Sequence, residues 1–234
     1  MIFVDTLQMI PQKIAAIFHS KGTLIKADKG MHIFQEGELA DHIFLIHNGS
    51  IQISKETESG KELTIRICSS NSLIGESLLF CGEQHHSTTA KTLECSKLFS
   101  IHNNQFETIL NEQPTLLIEF LKWIQTENIK NQSRLRDLVL HGKKGALYST
   151  LIRLANTYGE YRNNNEVHIN LALTNTEIAN LCATSREMVN RMLTDLRKTN
   201  KIKMEKSYIT ILDLNYLKQE IDCENCPLAI CRID

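Results

Sequence analysis

The chain has 234 residues, enough for one large domain or two modest ones, each with its own core. Its 42% hydrophobic and 23% charged residues are ordinary for a soluble globular protein, and no stretch reaches the roughly 18 apolar residues of a membrane span. A net charge of −1 excludes a globally basic protein, so any nucleic-acid surface has to be local; seven unevenly spaced cysteines without an export signal indicate a reducing cytoplasm rather than a disulfide framework.

Residues 1 to about 20 are expected to be helical, with Leu7, Ile10, Ile14 and Phe18 near helical spacing. From Gly22 to about Ile101 the pattern becomes short alternating apolar runs, and six of the ten glycines fall between Gly30 and Gly82. "HIFLIHNGSIQIS" reads as strand, turn and strand, with Asn48-Gly49 as a tight hairpin turn. "ESGKELTIRI" repeats the theme around Ser59-Gly60, with Leu63, Ile65 and Ile67 alternating. This predicts a small antiparallel barrel or sandwich. Cys68, Cys81 and Cys95 fall within it and read as packing residues.

From about Asn103 the chain is expected to be helical. Pro114 to Leu140 contains no internal glycine or proline, and Leu117, Phe120, Leu121, Ile124, Ile129, Leu135 and Leu138 form an apolar stripe. At about 1.5 Å per residue this helix spans roughly 40 Å, a length that suggests a dimer seam. "HGKKG", His141 to Gly145, marks a domain boundary or hinge.

Two capping boxes follow, "TNTE" at Thr174 to Glu177 and "TSRE" at Thr184 to Glu187, separated by "CAT". Two helices started so close together predict a helix-turn-helix. On the second helix Met188, Val189, Met192, Leu193 and Leu196 occupy one side. Arg186, Glu187, Asn190, Arg191, Thr194, Arg197 and Lys198 occupy the other. These polar side chains suit the reading of base edges in a major groove. "KIKMEKSYITIL" predicts a two-stranded wing turning near Lys206, with Lys201, Lys203 and Lys206 near phosphates. "DLNYLKQEI" predicts one more helix.

The tail "DCENCPLAIC" places Cys223, Cys226 and Cys231 in a C-x2-C-x4-C spacing, which lets thiolates converge on one metal centre. Zinc would need a fourth ligand. An iron–sulfur cluster also takes thiolates. Spacing alone leaves both open.

"IFQEGELADHIFLIHNGSIQI", "IGESLLF" and "LTNTEIANLCATSREMVNRML" together resemble the CRP/FNR family of dimeric bacterial transcription regulators, over nearly the whole chain. The resemblance implies an α+β architecture. A cyclic-nucleotide-binding-like sensor barrel spans 1–112, a dimerisation helix 113–141, a winged helix-turn-helix DNA-binding domain 142–215 and a cysteine tail 216–234. Arg186, Glu187 and Arg191 match the family's base-reading trio, with Asn190, Thr176 and Ser185 in the same DNA-binding set. Ala183 departs from the family's usual turn glycine. Gly75 and Glu76 match ribose contacts of the cyclic-nucleotide binders, but His86-Ser87 stands where an Arg-Ser or Arg-Thr pair grips the phosphate. A neutral imidazole lacks the charged fork for that task, so a cyclic nucleotide is not the expected ligand.

The tail resembles that of the FNR proteins of Gram-positive bacilli, which hold an oxygen-labile [4Fe–4S] cluster through three cysteines and an aspartate near the end of the long helix. The aspartate matches Asp137, and Cys182 is its nearest rival as fourth ligand. The resemblance thus implies a cytoplasmic, homodimeric, oxygen-responsive regulator of anaerobic respiration and fermentation genes, acting with RNA polymerase at palindromic double-stranded DNA. In that reading the cluster pins the tail to Asp137 and fixes the DNA-binding domain relative to the dimer helix. The two recognition helices then sit about 34 Å apart. The alternative is a small-ligand-responsive regulator of the same fold with a structural zinc in the tail. An enzyme is not expected, since no nucleophile–base constellation or dinucleotide motif is present.

Overall fold

The computed structural model describes residues 10–82, 84–162 and 166–234. The chain divides into two compact units, residues up to Thr126 and Glu127–Ile233. The division falls inside the long helix rather than at His141 to Gly145.

The first unit begins with α1 (Gln12–Lys21), followed by β1 (Thr23–Ala27), β2 (His32–Phe34), β3 (His42–Asn48), β4 (Ile51–Glu56), β5 (Glu62–Cys68) and β6 (Leu73–Ile74). A short 3-10 turn at Glu76–Leu78 precedes β7 (Thr89–Thr92) and β8 (Ser96–His102), and α2 (Asn103–Glu112) and the first half of α3 (Pro114–Leu140) close the unit. The strands form two antiparallel sheets, ordered β1-β8-β3-β6 and β2-β7-β4-β5. Alternation along β3 explains how both of its faces are buried. Phe44 and Ile46 join Phe34, Ile51, Ile53 and Leu98 between the sheets. Ile43 and Leu45 face the other way, onto Ile14, Phe18, Phe106, Leu116, Phe120 and Trp123 from the helices. Leu7 lies outside the described residues.

The turn at Ser59-Gly60 joins paired strands as expected, with Glu56 opposite Glu62. Asn48-Gly49 does not. β3 pairs with β6 and β8, β4 with β5 and β7, and the chain crosses between sheets at this point. Gly49, at φ +108°, is needed for close approach, because a Cβ there would lie 2.2 Å from Ser96 Oγ. Of the three barrel cysteines only Cys68 is buried; Cys81 and Cys95 sit on connections and are exposed.

The stripe on α3 is two stripes. Leu116, Phe120 and Trp123 are buried, with Leu117 and Ile124 packed against the same core. Ile118, Leu121, Ile129, Leu135, Val139 and Leu140 are exposed and fall within about 140° of arc on the opposite side at 100° per residue. The expected seam therefore mixed both faces, as a heptad-like count along one sequence cannot separate them.

The second unit contains the rest of α3, then α4 (Gly142–Tyr158), β9 (Gly159–Tyr161), β10 (Val167–Ile169), α5 (Asn175–Leu181), α6 (Arg186–Lys198), β11 (Ile202–Glu205), β12 (Tyr208–Ile211) and α7 (Leu214–Gln219). α4 is its central element, with every residue from Gly145 to Ala155 buried. The β11–β12 wing turns through Lys206 and Ser207, both at positive φ (48° and 69°), as a tight two-residue hairpin requires. β10 and β9 extend this hairpin to four strands in the order β11-β12-β10-β9. Sequence reading missed them because three-residue strands show no alternation. No helix among the described residues is long and apolar enough to cross a membrane.

Candidate functional site

The helix-turn-helix is built as its caps dictate. Thr174 Oγ1 accepts from the Glu177 amide at 3.2 Å, and the Glu177 carboxylate accepts from the Thr174 amide at 2.7 Å, a complete capping box starting α5. The second cap lies one residue later than the sequence suggested. Ser185, not Thr184, caps α6 by accepting from the Met188 amide at 3.3 Å, while the Thr184 hydroxyl is buried without a partner. Just before this cap, Ala183 turns the chain at φ +50°. An L-residue there is strained by about 1–2 kcal/mol, partly offset by the lower entropy of its unfolded state. Ala183→Gly is therefore expected to stabilise the unit by about 0.5–1 kcal/mol, read as a higher urea midpoint with unchanged slope.

α6 is amphipathic. Val189, Leu193 and Leu196 are buried, Met188 and Met192 half-buried, and Arg186, Glu187, Asn190, Arg191, Arg197 and Lys198 exposed. Thr176 on α5 and the Ser185 cap are exposed beside them. Asn175 Nδ2 donates to Asn190 Oδ1 at 3.1 Å, tying the two helices across their exposed side. Glu187 is held below the usual carboxylate range by its own backbone amide and the Ser185 hydroxyl, and so stays ionised. On the wing, Lys203 and Lys206 are exposed, with Lys203 in a loose 3.8 Å ion pair with Glu166. Lys201 instead bonds Asp213 at 2.7 Å and lies over the Tyr216 ring, so it is not a free phosphate contact.

The cysteine tail packs on α4 and the end of α3. Cys223, Cys226, Cys231 and Asp137 line one cleft together with Arg136, Ser149 and Arg153. Asp137 is 6% exposed and its carboxylate is fully engaged. Oδ2 accepts from Ser149 Oγ and the Arg153 guanidinium, both at 2.6 Å. Oδ1 accepts from Arg136 Nη2 at 2.8 Å and Nε at 3.1 Å. Burial alone would raise this carboxyl, but the bonds from Ser149, Arg153 and Arg136 outweigh it and hold it below the usual range. The Arg136 guanidinium also reaches Cys226 Sγ at 3.9 Å and bonds Glu224. Burial raises the Cys231 thiol.

Three thiols and a carboxylate are suitable donors for iron or zinc. Among the described residues, however, no three His, Cys, Asp or Glu side chains are placed to hold one metal ion. The cleft's free volume is about 20 Å³, room for one water. A cation already sits between Asp137 Oδ1 and Cys226 Sγ, in the form of Arg136. The donor set thus fits an inorganic group in kind and number. Receiving one would require the thiols to converge and Arg136 to give up Asp137. Cys182 does not share the cleft: its thiol bonds Thr150 at 3.4 Å and Ala146 at 3.7 Å, and full burial pushes its pKa up to about 12. Sequence reading missed Ser149 and Arg153, although a lone arginine within the apolar run "LIRLA" was a signal that an acid must meet it.

In the barrel, Glu76 Oε1 accepts from Arg66 at 2.7 Å, while its Oε2 is buried without a partner. His86 is 6% exposed and stacks on Phe34 at 3.8 Å and 7°. Burial lowers its pKa, leaving a neutral ring. Glu76 thus keeps one open acceptor oxygen, and His86 carries no charge.

Residues 24–113 match the cyclic nucleotide-binding domain family, and residues 145–220 the Crp-like helix-turn-helix domain family. The chain is 46% identical to the anaerobic regulatory protein of Bacillus subtilis (strain 168), over 97% of this chain and 95% of that one. It is 26% identical to the global nitrogen regulator of Synechocystis sp., covering 88% and 95%. Among solved structures, the c-di-GMP-responsive global regulator CLP of Xanthomonas campestris superposes with a TM-score of 0.74 at 17% identity, covering 86% of this chain and 99% of that one.

Proposed function

Since this chain belongs to the CRP/FNR family of transcription regulators, which bind DNA and are not enzymes, we propose that it is a cytoplasmic oxygen-responsive regulator whose sensor is the C-terminal tail. One observation carries the reading: Asp137, far away in sequence, lines the same cleft as Cys223, Cys226 and Cys231. The 46% identical relative that is called an anaerobic regulatory protein supports it. Bound there, a [4Fe–4S] cluster would supply an oxygen-labile tie between the tail and α3. The chain's own residues do the rest. Asp137 presents its carboxylate from α3, and α4, against which the tail is bonded, packs on α5 of the reading head. The ordering of the tail is thereby passed to the helix-turn-helix. The neutral, stacked His86 favours an input at the tail over a cyclic nucleotide in the barrel.

Protein purified without air should bind a palindromic CRP-like site and lose that binding in air. Cys226→Ala protein should bind weakly in both conditions. Wild-type binding that is equally tight with and without air would refute oxygen control.

The exposed apolar face of α3 is the homodimer seam of this reading. Leu121 and Leu135 are 56% and 62% exposed in the single chain. Each contributes about 1.5–3 kcal/mol when buried. Leu121→Glu and Leu135→Glu should each weaken dimerisation at least about a hundredfold, since both protomers lose the contact. Sedimentation analysis measures this, and an undiminished dimer would place the seam elsewhere.

The alternative, a structural zinc with a small ligand in the barrel, has one observation in its favour: the unpartnered Glu76 Oε2, an acceptor for a ligand hydroxyl. RNA polymerase contact at the regulated promoters follows from the family role.

A further inference from the structure

Arg153 is fully engaged within the second unit. It is 1% exposed, and each of its five N–H donors has a partner. Nε donates to Ser149 Oγ at 3.3 Å, and Nη2 to Ser133 Oγ at 2.8 Å and Asp137 Oδ2 at 2.6 Å. Nη1 donates to the Ile230 and Arg232 carbonyls at 3.1 and 3.4 Å. Those two carbonyls flank Cys231. The carbonyl of Cys231 itself accepts from Asn156 Nδ2 at 2.7 Å, one helical turn further along α4, and the Ile233 amide donates to Thr157 Oγ1 at 3.0 Å.

The main chain around the third cysteine is therefore held at four consecutive residues by α4. The other two cysteines are placed differently. Cys223 follows α7 with its amide on the Lys218 carbonyl, and Asp222 and Asn225 carry the loop through positive φ. Arg136, the other guanidinium on Asp137, is bonded to the exposed Glu224 of this loop rather than to the segment around Cys231.

We infer that Arg153 is the positioning residue of the sensor site: a single guanidinium fixes the Asp137 carboxylate and both sides of Cys231 before any inorganic group arrives. The inference rests on the tail being that site. Two of the four donors are then held in advance, and Cys223 and Cys226, which α4 does not hold, complete the set. Preorganising half of a ligand set lowers the ordering cost of binding. Lysine cannot replace this arginine, because one ammonium has three donors on a single point and cannot span a carboxylate and two carbonyls.

The test uses full-length, reduced, metal-free protein and reads hydrogen exchange at the amides of Cys231, Arg232 and Ile233. Arg153→Gln and Arg153→Lys should both accelerate exchange at least tenfold relative to wild type. Arg136→Ala should leave these amides protected. Wild-type protection in Arg153→Gln, restoration by Arg153→Lys, or equal loss in Arg136→Ala would each overturn the inference. So would the absence of a cooperative thermal transition in both Arg153 variants, because Arg153 would then serve the fold of the whole unit. Iron and sulfide content of anaerobic wild-type protein tests the cluster reading separately. A tail released by Arg153→Gln in a protein that never holds iron would retain the tether and remove the sensor.

Discussion

Asp137→Ala is expected to destabilise the second unit by roughly 3–5 kcal/mol, the range for removing one partner of a buried ion pair. The size follows from what is left behind rather than from the contact removed. Arg153, with a side chain 2% exposed, would remain charged with its counter-ion gone. Surface ion pairs are worth about 1 kcal/mol or less, so the magnitude separates this carboxylate from an ordinary helix acid. Urea unfolding of reduced, metal-free protein gives the number without involving any cluster. Asp137→Asn keeps an acceptor for Ser149 and for one guanidinium N–H, and is expected to cost less. A loss below about 1 kcal/mol for Asp137→Ala would mean that Asp137 is not the buried counter-ion of Arg153.

The second large effect concerns sequence recognition. Arg186 and Arg191 stand exposed on the first two turns of α6, and Glu187 between them is ionised. Bidentate arginine on guanine, or carboxylate on cytosine, is worth about 1–3 kcal/mol of discrimination. Arg191→Ala should therefore cost roughly 10- to 100-fold in preference for G·C at one step of each half-site, with other positions unchanged. Glu187→Ala should relax the cytosine step. Lys203→Ala or Lys206→Ala on the wing should instead weaken all sequences alike and flatten the salt dependence by about one unit. Binding to a panel of single-base variants at fixed ionic strength distinguishes these outcomes. An Arg191→Ala protein with unaltered base preference would remove that residue from the reading set.

Local signals in the sequence were legible where chemistry is local. The Thr174 capping box, the apolar face of α6, the Ser59-Gly60 turn and the wing turn near Lys206 depend on residues within a few positions of each other, and each occurs as the sequence dictates. Non-local outcomes were not legible. Asn48-Gly49 carries the composition of a hairpin but serves a crossing between sheets, because β3 is claimed by β8 and β6. The α3 stripe could not be divided into inward and outward faces until Leu116, Phe120 and Trp123 met their barrel partners. Pairing Asp137 with Arg136 was visible in adjacent letters. Its deeper partner, Arg153, lies sixteen residues away on the next helix, and only folding brings the two to 2.6 Å. The tail likewise announced three thiols without showing that α4 grips the chain around one of them.

The central claim, that the tail is an iron–sulfur sensor, is tested most directly by iron and acid-labile sulfide analysis of protein purified without air. The expected result is about four of each per chain with a brown absorbance that air bleaches, and little of either in Cys226→Ala protein. About one zinc per chain with no sulfide would contradict the account.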